Sequence, residues 1–438
     1  MTTGVLLALT HPQEAELVAL IDAPGTGMRV VRRCADVPEV LAAGLAGLGT
    51  LAVLSADLPG LDRPVLGRLT GGGVRTVLLA PADDLPRCRA LGATTVVTEE
   101  SGPAQWAGAV AELARAEPVD EPAPVRRERP VDKPAVGQGR LAVVWGPRGS
   151  PGRTTVAVNL AQELSSRGPT LLVDADTEAP SVTQTLGVLD ETAGIAAAAR
   201  LAGDGRLDAE ALRALTRGLA KGPRLLTGLT RPDRWRELPA ASLDVVWESA
   251  RLVADWTVVD VGAGIDEARG GAPPGAAPRR HQASIAALAA ADVVVVVGAA
   301  EPIGMHRLVV ALQELTESGV CRPHAQRLVV VNRVRASAAG ANPEQAVLES
   351  LARFAAVSDP LLVPDDRAAL DRAVLRGATL AEVAPGSRAR SALHELADRL
   401  AGPGPERAGR GARRRRRRGR VALRTRKSGA GSPVLAER

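Results

Sequence analysis

A chain of 438 residues with 45% apolar content is long enough for more than one hydrophobic core. Aromatic residues make up only 1%, with one Phe and no Tyr, which argues against nucleic-acid recognition by stacking on ring faces, and the widely spaced Cys34, Cys88 and Cys321 suggest neither a zinc site nor a disulfide framework. The net charge of +6 is unevenly spread: residues 402–438 hold thirteen Arg or Lys against Glu406 and Glu437, which is +11 there and −5 on the rest.

The opening MTTGVLLALTHPQE has no basic stretch and too short an apolar run for an export signal, and the apolar segment near 283–300 is interrupted by Asp292. A cytoplasmic protein without a membrane span is expected. In residues 1–115 the runs GVLLAL, MRVVRRC, TLAVLS, VRTVLLA and ATTVV alternate with stretches of helical periodicity, the pattern of a small doubly wound α/β domain with a parallel sheet. Residues 116–139 are rich in Pro and charge without apolar period and read as an extended linker. From 140 to 401 the alternation resumes with LAVVW, TLLVD, WTVVD, DVVVVVG, RLVVVN and PLLVP, near-continuous apolar strands that imply a larger, mostly parallel sheet covered on both faces. The Gly/Pro-rich GAGIDEARGGAPPGAAPRRHQ between two of them reads as a mobile loop, and the last helix, near 388–401, ends at GPGP. Residues 402–438, with six consecutive arginines at 413–418, read as a disordered basic tail that can attract anionic lipid or nucleic-acid phosphate.

The strongest chemical signal is LAVVWGPRGSPGRTTVAVNLAQEL, an apolar strand, a Gly-rich turn and an amphipathic helix. Glycines let successive backbone N–H groups turn toward oxyanions, and the helix N-terminus adds its positive dipole end. Gly149 and Gly152 would supply the turn, Arg153 would reach the β and γ phosphates, and the Thr154 hydroxyl would ligate Mg²⁺. Alone, such a turn can be only a turn. Asp174, Asp176 and Asp260, each following an apolar strand, can likewise be solvated strand-end carboxylates. Their ordered conjunction is what points to a nucleotide.

RGSPGRTT resembles the deviant Walker A motif of the MinD/ParA superfamily, KGGxGKTT. Arg148 stands at the signature-lysine position, which in that family reaches across a dimer; Gly149, Gly152, Thr154 and Thr155 match; Ser150 replaces a glycine and Arg153 the Walker lysine. Arginine keeps the charge but is planar and forked, so the resemblance implies binding of ATP and Mg²⁺ with weak or lost hydrolysis. LLVDADTEAPS resembles switch I, with Asp176 at the position that orients the attacking water, and WTVVDVGAG resembles Walker B and switch II, with Asp260 beside Mg²⁺ and Gly262 near the γ phosphate. LVVVNRV resembles the strand ending in the base-reading Asn, here Asn332, and the segment at Pro364 resembles the one closing over adenine.

Residues 1–115 resemble a receiver domain stripped of its chemistry. Ser55 stands at the phosphoacceptor position four residues before Pro59, LLALTHP lacks the acidic Mg²⁺ ligands, and Glu99 stands where a lysine is expected, so a pseudo-receiver for docking or dimerisation is implied. The whole layout resembles CpaE-like proteins, in particular the actinobacterial septum site-determining branch. That resemblance implies a homodimeric, ATP-dependent regulator that places division or pilus/secretion machinery and can lie at the inner face of the membrane. The alternatives are a non-hydrolysing scaffold and a ParA-like DNA-organising protein acting through the tail.

Overall fold

In the computed structural model, residues 2–116, 138–189, 192–220, 222–268 and 279–402 are described. Most of the linker, the Gly/Pro-rich residues 269–278 and the basic tail beyond 402 lie outside them. The apolar runs of the first region become β1 (Thr3–Ala8), β2 (Met28–Arg33), β3 (Leu51–Ser55), β4 (Arg75–Ala80) and β5 (Thr95–Thr98), separated by helices and paired in parallel in the order 2-1-3-4-5. Alternate residues of β1 and β3 feed two apolar clusters. Leu6, Ala52 and Leu54 pack with Val40, Leu66 and Leu69, whereas Val5, Leu7, Leu51 and Val53 pack with Leu17, Trp106 and Val110.

The second region builds an eight-stranded sheet. Its strands are β6 (Arg140–Trp145), β7 (Thr170–Ala175), β8 (Arg217–Gly218), β9 (Arg224–Leu226), β10 (Trp256–Val261), β11 (Val293–Ala299), β12 (Gln326–Val334) and β13 (Leu361–Pro364), in the order 13-12-11-6-10-7-9-8. All pairs are parallel except β8 with β9. The central β7, β10 and β11 are buried along their whole length, which is why their sequences run apolar without alternation. Period 2 persists in which layer each residue feeds: Leu141, Val143 and Trp145 face one helical layer, Ala142 and Val144 the other. The mixed α/β class with a mostly parallel larger sheet is thus as expected. The strands β8 and β9 at one end of the sheet, two and three residues long, carry too short a pattern to be read from sequence.

Two contacts set the geometry around the central strands. The helix Arg63–Gly71 of the first region lies against the helices Gly194–Gly203 and Ala240–Val253, and Arg63 Nε donates to the Ala241 carbonyl at 3.0 Å. On the opposite layer, the helix Arg153–Ser165 that follows β6 is bound to the C-terminal helix Arg388–Ala401 by a buried ionic cluster. Glu163, only 4% exposed, accepts from Arg390 Nε at 2.7 Å and meets His394 Nδ1 at 2.7 Å, while Arg167 pairs with Asp398. A carboxylate at that depth is tolerated only because both oxygens are engaged.

Glu163→Ala leaves Arg390 and His394 facing an apolar gap and is expected to destabilise the larger α/β unit by about 3 kcal/mol. Urea unfolding followed by tryptophan fluorescence reads this as a lower midpoint, and an unshifted midpoint would show that the cluster contributes nothing.

Candidate functional site

Parallel strands collect their loops at their carboxyl ends, and the residues of interest lie along that edge around β6, β10 and β7. Asp260 of β10 is in register with Val144 of β6 on one side and with Asp174 of β7 on the other, so two carboxylates end adjacent buried strands. Both are essentially unexposed, Asp260 at 0% and Asp174 at 1%. Burial raises the Asp174 pKa to about 7, with the nearby Asp176 charge adding to it, and burial together with the Asp174 charge pushes that of Asp260 well above the ordinary carboxylate range.

Donors converge on this pair. Asp174 accepts from the backbone N–H groups of Asp176, Ser181 and Val182 at 3.1–3.2 Å. Thr154 Oγ1 donates to Asp260 Oδ2 at 2.6 Å and lies 3.2 Å from Ser181 Oγ. Asp260 Oδ1 is buried without a hydrogen-bond partner in the structure, and so is Arg153 Nε. A carboxylate oxygen left over beside a threonine hydroxyl is the donor set a hard divalent cation takes, so the residues present fit Mg²⁺.

The Gly-rich turn bends above this pair. Gly149 (φ 106°) and Gly152 (φ 99°) occupy left-handed backbone, and a side chain at either would strike the Arg307 guanidinium or the Asn332 amide. Ser150 is also left-handed (φ 55°), held there by Arg333, itself at φ 60°, whose guanidinium donates to the Ser150 carbonyl at 2.9 Å. Helix Arg153–Ser165 starts directly after Gly152, and the Asn159 amide donates to the Thr155 carbonyl.

The other residues picked out from the sequence fall as follows. Arg153 turns back on its own loop, donating to the Gly146 and Pro147 carbonyls at 3.1 and 3.0 Å and lying 3.6 Å from Asp176. Asp176 accepts from the N–H groups of Glu178 and Ala179 at 2.8 and 2.9 Å. Arg148 is 64% exposed and points toward Glu178, 3.6 Å away. A side chain on Gly262 would press on Asp176 Oδ1 and on Glu178, so the loop after β10 packs on the loop after β7. Asn332, 4% exposed, donates to the Pro151 carbonyl at 2.9 Å and accepts from Arg333 N–H, so in this structure its amide braces the Gly-rich turn. Pro364 ends β13, paired with Val334 just beyond Asn332.

Residues not singled out in the sequence also meet here: Ser181, Glu178, His281, Arg307 and Arg333. Ser181, Glu178 and Arg333 lie within LLVDADTEAPS and LVVVNRV, but no local pattern assigns these residues their partners, which lie up to 183 residues away and are brought together by the strand order.

Asp174 and Asp260 give the site a pH signature. A carboxyl whose pKa is higher folded than unfolded keeps its proton in the native state and loses it on unfolding, so stability falls as pH rises above about 4, the unfolded value, through the raised folded values. Asp244, pushed by burial to about 6, adds to the same trend. The melting temperature of the metal-free protein is expected to drop by several degrees between pH 5 and pH 8, and Mg²⁺ at pH 8 to recover part of it. A flat profile would contradict the buried-pair geometry.

No protein-family model matches the chain, and no curated protein matches it significantly. Among solved structures, a ParA family ATPase from Chlorobium tepidum TLS matches with a TM-score of 0.50 at 17% identity over 60% of this chain and 98% of that one. The cell division ATPase MinD of Pyrococcus furiosus follows at a TM-score of 0.47, 21% identity, and 60% and 98% of the two chains. The septum site-determining protein MinD of Pyrococcus horikoshii OT3, complexed with Mg-ADP, gives 0.46, 19% identity, and 60% and 96%. The structural neighbours are thus ATPases of the ParA and MinD kind, and over 60% of its length this chain has the fold of the first of them.

Proposed function

We propose that the chain is a nucleotide-dependent positioning protein of the MinD/ParA type that binds ATP with Mg²⁺ above β6, β7 and β10. The observation that carries this reading is the 2.6 Å contact between Thr154 and Asp260 beneath a left-handed Gly149–Gly152 turn, with the second Asp260 oxygen left over for a cation. Main-chain N–H groups from Gly149 to Thr155 at a helix N-terminus would wrap the phosphates, and Thr154 and Asp260 would hold Mg²⁺. Mg²⁺ supplies charge neutralisation of the phosphate oxygens.

Asp176, fixed by two backbone N–H groups, would orient a water, and Arg148 and Arg153, both in the turn, would supply positive charge to the phosphates. Asn332 and Pro364 would flank the base. A homodimer assembled over bound nucleotide would recruit division or pilus/secretion machinery, as expected of a CpaE-like protein in the cytoplasm or at the inner face of the membrane. Among the described residues no helix is long and apolar enough to cross a membrane, and the basic tail would supply attraction to an anionic lipid surface.

Residues 1–115 would act as a pseudo-receiver. Ser55 ends β3 with its hydroxyl buried and accepting from Thr10 N–H at 3.0 Å, which is a structural hydrogen bond in place of a phosphoacceptor. One specific observation favours a second reading, a scaffold that binds but does not hydrolyse: the Arg153 guanidinium is committed to the Gly146 and Pro147 carbonyls.

Calorimetry with Mg²⁺ and ATP on the full chain should register binding competed by ADP, weakened about tenfold by Thr154→Ala through loss of the Mg²⁺-dependent part. Absence of heat and of competition would end the nucleotide reading. Phosphate release that is negligible in the wild type and restored by Arg153→Lys supports the scaffold, whereas turnover in the wild type excludes it.

A further inference from the structure

One carboxylate to which no role has been given so far ties the site together. Glu178 lies two residues beyond Asp176, and its side chain is 22% exposed. Its Oε1 is 3.0 Å from His281 Nε2 and 3.6 Å from the Arg148 guanidinium, and its Oε2 accepts from Ala263 N–H at 3.3 Å. These partners come from three separate segments: the Gly-rich turn, the loop after β10, and the residue preceding the helix Gln282–Ala290. Thr177 Oγ1 adds a 3.1 Å bond to the Arg280 carbonyl, and the His281 ring lies against the backbone of Gly264. The Ala263 carbonyl is held in turn by Trp145 Nε1 at 3.1 Å.

The chemistry of this arrangement is that of an anion site filled from within. A backbone N–H, an imidazole and a guanidinium are the donors that phosphate oxygens use, and here a carboxylate holds all three. Two anions cannot share those donors without repulsion that is strong in a partly buried setting. We propose that Glu178 is a specificity-determining residue: an internal competitor for the terminal phosphate of a nucleoside triphosphate, displaced by a triphosphate but not by a diphosphate. The inference rests on the nucleotide site proposed above and adds how the chain tells ATP from ADP. While Glu178 holds Ala263, the loops after β7 and β10 are fastened to each other and to Arg148. Once a terminal phosphate takes over the donors, the Glu178 carboxylate swings out and the loops change partners together, a population shift driven by the difference in affinity for the two states.

The first test needs no nucleotide. In the full chain, amide hydrogen exchange at Ala263 is expected to be about tenfold faster in Glu178→Ala than in the wild type, because a charge-assisted acceptor has been removed. Unchanged exchange overturns the proposal. The second test is the ratio of MgATP to MgADP affinity. Glu178→Gln, which keeps the shape and removes the charge, should tighten ATP about tenfold and leave ADP within about twofold. If ATP and ADP change together, Glu178 is a structural brace and the proposal fails while the nucleotide site stands. If neither nucleotide binds wild type or variants, the nucleotide reading itself fails, and the specificity role falls with it.

Discussion

Two carboxylates ending adjacent strands in a dry interior are the constraint around which this molecule is arranged. Asp174 and Asp260 lie in register on β7 and β10, and each must be given donors or keep its proton. The chain satisfies Asp174 by curling the following residues back over it, so that three backbone N–H groups face the carboxylate, and this fixes the course of residues 176–182. It satisfies one oxygen of Asp260 with Thr154, which fixes where the helix after the Gly-rich turn begins. The other oxygen is left without a donor, the kind of local cost that a structural site would avoid and a cation site requires.

From that constraint the surrounding strain becomes intelligible. The turn between β6 and its helix must clear both carboxylates and still deliver Thr154, and it does so through left-handed backbone at Gly149, Ser150 and Gly152. Left-handed backbone costs a non-glycine residue about 1–2 kcal/mol, and here Arg333 offsets it at Ser150 while Asn332 secures the Pro151 carbonyl. Arg307 reaches the Arg148 carbonyl from the helix Pro302–Glu317. The turn is therefore held from outside by strands and helices far along the chain. Its rigidity is a property of the whole sheet.

The layers on either side serve the same edge. The cluster of Glu163, Arg390, His394, Arg167 and Asp398 locks the helix carrying Thr154 to the C-terminal helix, and Asn159 on that helix also accepts from Leu380 N–H. On the other layer the first region leans on the helix Ala240–Val253, which leads directly into β10 and Asp260. Both helical layers thus connect mechanically to the strands that bear the carboxylates. A change at the strand ends has a packed route to the rest of the molecule.

Much of this was legible in the residues alone. Runs such as TLLVD, WTVVD and DVVVVVG read as buried parallel strands because they are short, apolar at successive positions and enriched in Val and Thr, and RGSPGRTT between a strand and a helix reads as a glycine-dependent turn. The placement of Asp174, Asp260 and Thr154 along one edge follows from the same alternation, since parallel strands deliver their loops to one end. What the sequence could not decide is who meets whom across that edge. The order 13-12-11-6-10-7-9-8 sets Asn332 and Arg333 against a turn some 180 residues earlier and brings Glu178, Ala263 and His281 together; such contacts depend on strand order and loop packing, which no local pattern encodes.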